Sequence, residues 1–77
     1  MNIKGILMMY SKYRLTYNEA GKVFVFRNAI RVRDFIRFKK DLKANGIKYN
    51  NIRVIEWWIM KEDLLKIIEH YGVIPQL

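Results

Sequence analysis

The chain has 77 residues, 52% of them hydrophobic, with no cysteine, one histidine and a formal net charge of +8 at pH 7. That length builds a single core, so residues 1–77 are read as one small basic domain. The missing cysteines exclude a disulfide framework and thiolate ligands, and His70 alone builds no metal site. No metal and no cofactor are therefore expected, and homodimerisation is the remaining route to added stability.

Residues 3–10 read as a strand, with a short helix as the alternative. The apolar run within them, residues 6–10, is short, and Lys4, Ser11, Lys12 and Arg14 bracket it. A secretory signal needs a longer apolar region, and a membrane span needs about 20 residues. The reading is a soluble, cytoplasmic protein with no membrane partner.

Residues 13–27 read as a β-hairpin, because Tyr13-Arg14-Leu15-Thr16-Tyr17 and Lys22-Val23-Phe24-Val25-Phe26-Arg27 are β-prone. Asn18-Glu19-Ala20-Gly21 supplies the turn, with Asn18 opening it and Gly21 in the left-handed position. This turn sets Leu15 opposite Phe24 and Tyr13 opposite Phe26. Tyr13, Leu15, Tyr17, Phe24 and Phe26 then share one face, and Arg14, Thr16, Val23, Val25 and Arg27 share the other.

Residues 30–44 read as an amphipathic helix with Asn28 as its N-cap. Val32, Phe35, Ile36, Phe38 and Leu42 fall on one side, and Arg33, Arg37 and Lys40 form a flanking stripe. Asp34 and Asp41 balance that stripe, and Asn45-Gly46 stops the helix. Residues 52–60 read as a strand with Arg53, Ile55, Trp57 and Ile59 toward the core, with one helix continuous over 52–71 as the alternative. Its other face carries Trp58 and Met60, a pair with the composition of a protein interface. Residues 61–71 read as a second helix, ended by Gly72 and Pro75. The expected class is α+β in the order (β)ββαβα, a hairpin packed against an amphipathic helix.

The charge is unevenly placed. Residues 1–44 hold eleven Lys and Arg against three Asp and Glu, whereas residues 45–77 hold four of each. All of the excess lies in the first part, which points to an anionic partner: nucleic acid or an acidic protein surface. Arg33, Arg37, Lys40 and Lys43 on the helix and Arg14 and Arg27 on the hairpin are the candidate phosphate contacts. Catalysis has little to work with. Ser11 is the one serine, Thr16 the one threonine, and neither has a spacing that pairs it with His70. No glycine-rich phosphate loop is present, and the protein is expected not to be an enzyme.

Two nucleic-acid modes follow from the hairpin. With its aromatic face inward, Arg14, Thr16 and Arg27 face outward and suit a duplex groove. The hairpin-then-helix layout of residues 13–42 is similar to the arm-site DNA-binding domains of tyrosine recombinases, and that resemblance implies DNA binding by the hairpin. With the faces inverted, Phe24 and Phe26 beside Lys22 stack on unpaired bases, and Gly21-Lys22-Val23-Phe24-Val25-Phe26 loosely resembles the central strand of an RNA-recognition motif. Aromatics at this spacing are more often core.

The sequence thus points first to non-enzymatic nucleic-acid binding through a basic surface in residues 1–44. The alternative is a small protein-binding inhibitor or adaptor that docks on a larger protein, such as an anti-defence or anti-CRISPR protein. Lys, Ile and Asn supply 26 of the 77 residues, a bias of AT-rich genomes that fits a phage or plasmid source.

Overall fold

The computed structural model describes residues 2–58 and Glu69. The chain opens with α1, Ile3–Met9, where a strand was expected. The cause is local. The Asn2 side chain accepts a hydrogen bond from the Gly5 backbone N–H at 3.0 Å, which caps the first turn. Ile6 and Tyr10, one helical turn apart, are both buried on the core side, while Met8 and Met9 remain exposed. A short 3-10 turn, Ser11–Tyr13, follows. Arg14 then turns the chain in a left-handed conformation with φ 50°.

β1, Leu15–Asn18, and β2, Val23–Phe26, form the expected antiparallel hairpin. Its register differs from the expected one by two residues: Leu15 lies opposite Phe26 and Tyr17 opposite Phe24. The turn explains the shift. Asn18 Oδ1 accepts from the Gly21 N–H at 3.1 Å, but the left-handed residue is Lys22, with φ 53°, and not Gly21. Residues 19–22 thus lie between the paired Asn18 and Val23, a loop two residues longer than the expected register allows. A shift of two keeps every side chain on its expected face, so Leu15, Phe24 and Phe26 are buried as anticipated.

A two-residue strand, β3, Ile30–Arg31, leads directly into α2, Val32–Ala44. The helix begins later than expected, and Arg31 rather than Asn28 occupies the N-cap, with no side-chain cap. Asn28 instead donates from Nδ2 to the Lys12 carbonyl at 3.2 Å. Asn45 and Gly46, the latter with φ 64°, end α2 as the sequence indicates. Val32, Ile36, Phe38 and Leu42 are buried along its inner face, and Phe35 is half-buried beside them.

The chain then returns as β4, Asn51–Val54, and β5, Trp57–Trp58. β4 pairs parallel with β2, giving the sheet order β1-β2-β4. Parallel pairing needs a crossover, and α2 supplies it. β5 pairs parallel with β3, placing Trp57 beside Ile30 and Trp58 beside Arg31. The expected strand over 52–60 is therefore broken at Ile55 and Glu56, which corrects the expected faces. Ile52 and Val54 pack on the core, and the break shifts the alternation so that Trp57 follows them inward. Arg53 is exposed, and Ile55 is 57% exposed, although both were assigned to the core face.

The centre of the core is aromatic. The Phe38 ring meets Tyr10, Phe24 and Phe26 edge-on, at centroid distances of 5.2, 5.4 and 4.7 Å. The result is an α+β fold with a mixed sheet and one main helix. The expected helix over 61–71 lies outside the described residues, apart from Glu69, which is helical. Among the described residues no helix is long and apolar enough to cross a membrane.

Candidate nucleic-acid interface

Because the inner face of α2 is taken by the core, its basic residues are forced outward. Arg33, Arg37, Lys40 and Lys43 are all exposed. They do not form one cluster. From Arg33 to Lys43 the helix rises about 15 Å, so its two ends serve different surfaces.

The N-terminal end of α2 joins cations from the hairpin. Arg14 and Arg27 are exposed at the open end of the hairpin, where the Arg27 N–H is shared between the carbonyls of Tyr13 at 3.2 Å and Arg14 at 3.4 Å. Arg27 Nε also donates to Thr16 Oγ1 at 3.4 Å across the outer sheet face. A shallow depression there is lined by Thr16, Asn18, Val25, Arg27, Asn51 and Arg53. Its rows follow the register: Thr16, Val25 and Arg53 lie side by side across the three strands, as do Asn18, Val23 and Asn51. No carboxylate is among these residues. Beyond the hairpin end, Lys12, Arg31 and Arg33 border a second concavity.

The C-terminal end of α2 forms a separate groove. Lys39, Lys40, Lys43 and Lys48 surround an apolar floor that includes Ile36 and Leu42. Of the residues expected to bind nucleic acid, Arg14 and Arg27 meet at the open end of the hairpin, Arg33 borders the second concavity, and Lys40 and Lys43 lie apart in the lysine groove.

Arg37 lies between these ends and is engaged internally. Its side chain hydrogen-bonds the Tyr10 hydroxyl, and this bond above all holds the guanidinium pKa above its usual value. The Tyr10 hydroxyl in turn donates to Asp41 at 2.7 Å. Tyr13 donates likewise to Asp34. The two helix carboxylates, expected to balance the basic stripe, are thus tied to tyrosines. Burial, then the hydrogen bond to its aspartate, pushes each of Tyr10 and Tyr13 up to about 12.

The inverted stacking mode has no surface to use. Phe24 and Phe26 are fully buried, so these aromatics are core. Trp58 is 57% exposed, and Met60 lies outside the described residues. Thr16 is occupied by Arg27 and Ser11 sits in the 3-10 turn, while His70 lies outside the described residues. Among the described residues no three His, Asp or Glu side chains are placed to hold a metal ion.

Lys12, Arg31 and Arg53 were missing from the expected set. Arg53 was legible only once β4 is known to lie beside β2, since it then shares a face with Thr16 and Val25. Lys12 and Arg31 carry no sequence signal beyond their charge. No protein-family model, curated protein sequence or solved structure matches this chain.

Proposed function

We propose that this protein is a non-enzymatic nucleic-acid-binding domain that engages the phosphate backbone with the cations gathered at one end of its sheet. The carrying observation is the outer sheet face, where Arg27 and Arg53 stand among Thr16, Asn18 and Asn51 with no carboxylate among them. Guanidinium groups fit phosphate and guanine edges, and side-chain amides fit adenine edges. Arg14 and Arg33 extend this surface around the hairpin end. The sheet is the reading element, and α2 braces it from behind.

The test is binding to a labelled duplex across a salt series. About five phosphate contacts give a log–log slope of roughly −4 to −5. No binding to duplex or single strand at about 50 mM salt, where phosphate contacts are strongest, rules the reading out.

A second reading is a protein-binding inhibitor or adaptor of phage or plasmid type. What favours it is the exposure of Ile55 and Trp58, each 57%, near the same end of the sheet. Stoichiometric capture of a partner that survives nuclease treatment supports this second reading.

A further inference from the structure

The concavity beyond the hairpin end combines features that the outer sheet face lacks. Its volume is about 510 Å³, and its rim carries Lys12, Asn28, Arg31, Arg33 and Trp58. Pockets of about 300–1,000 Å³ hold small ligands. The parallel pairing of β3 with β5 fixes Trp58 directly beside Arg31. The bond from Asn28 Nδ2 to the Lys12 carbonyl ties the two chain segments of the opposite rim together.

The charge at this site is asymmetric. Among the described residues that line it, three cations accompany one carboxylate, that of Asp34. Asp34 is already held by the Tyr13 hydroxyl, and Arg33 Nε lies 4.0 Å from it. Trp58, 57% exposed, supplies an aromatic surface amid this positive charge. An apolar protein partner closing over the indole would have to strip water from neighbouring cations, which is costly without paired anions. A ligand that joins a planar ring to a phosphate satisfies both halves of the site at once. Aromatic side chains stack on bases of any sequence, and nearby Arg and Lys hold the backbone.

We propose that this concavity is a nucleotide site, in which Trp58 stacks on an unpaired base while Lys12, Arg31 and Arg33 hold its phosphate. The shared chemistry is a nucleobase with an adjoining phosphate, whether on a strand or in a free nucleotide. In its strand-borne form the inference rests on the nucleic-acid reading above and extends it to unpaired bases.

The experiment follows tryptophan emission and binding affinity with four probes: a 12-nucleotide single strand, the same sequence as a blunt duplex, ATP, and tripolyphosphate, which has charge but no base. The variants are Trp58→Ala and Trp58→Phe, with circular dichroism confirming their fold. The single strand is expected to quench emission. Trp58→Ala is expected to weaken single-strand binding roughly 5- to 100-fold, leaving duplex binding within about twofold, and Trp58→Phe to keep most of the affinity. Quenching by ATP that Trp58→Ala abolishes identifies the free nucleotide as a ligand; quenching by the strand alone identifies the strand. Equal losses for strand and duplex, no loss for either, or quenching by tripolyphosphate equal to that by ATP overturns the site. Duplex binding that persists while Trp58→Ala changes neither single-strand nor ATP binding sinks the nucleotide site and leaves the proposed function standing. ATP quenching that depends on Trp58, with no binding to strand or duplex, does the reverse.

Discussion

The Tyr13 hydroxyl donates a hydrogen bond to the Asp34 carboxylate, and both residues are buried. This bond joins the turn before the hairpin to the first turn of α2. Tyr10 and Asp41 make a second such link near the other end of the helix. Together they pin α2 to the N-terminal segment that precedes the sheet.

The two links differ in burial, and their removal should differ in cost. Tyr13→Phe leaves a buried carboxylate without its donor and is expected to cost about 1–3 kcal/mol. Asp41 is only half-buried, so water can replace the lost donor after Tyr10→Phe, which should cost about 1 kcal/mol or less. Urea unfolding of both variants decides. A larger loss for Tyr10→Phe would reverse the ranking of the links.

Alkaline pH addresses the same pairs. Tyr10 and Tyr13 are raised from 10.0 to about 12 in the folded state, first by burial and then by their aspartate partners. A raised pKa means that the protonated form is favoured by folding. The stability from these groups is fully present below pH 10 and is lost as the pH climbs from 10 toward 12. Stability measured across that window should fall with each unit, and absorbance at 295 nm should show two tyrosines ionising late or together with unfolding. Completion of all tyrosine ionisation near pH 10 in the folded protein would contradict the geometry.

Phe38 is the packing centre of the core. It is fully buried and touches three other rings. Phe38→Ala should cost about 3–5 kcal/mol, a large part of the stability of so small a domain. Phe35 packs against Trp57 at 4.9 Å but remains only half-buried, so Phe35→Ala should cost roughly half as much. Thermal melting of the two variants tests the order.

The hairpin and α2 were legible because their signals are local. Alternation separated Phe24 and Phe26 from Val23 and Val25, and a continuous apolar stripe marked the inner face of α2. The register was missed because a lysine, not the adjacent glycine, took the left-handed position. α1 takes the short-helix alternative for residues 3–10 and not the strand, because the Asn2 cap and the Ile6–Tyr10 spacing outweigh the strand propensity of Ile3 and Ile6. The parallel pairing of β4 with β2 is a long-range choice with no local mark. For the same reason the basic residues could be recognised singly but not grouped. That Arg53 belongs with Arg27, and that Lys43 does not, follows only from the sheet order.

Two triple variants decide which basic surface meets nucleic acid. Duplex affinity at low salt should be compared between two variants that each lose three charges, Arg14/Arg27/Arg53→Ala and Lys40/Lys43/Lys48→Ala. The first is expected to lose at least about tenfold in affinity, with its salt slope reduced by about 3, while the second stays within about threefold of the unmodified protein. Equal losses in the two variants, or a greater loss from the lysine set, would contradict the assignment of the sheet end as the binding surface.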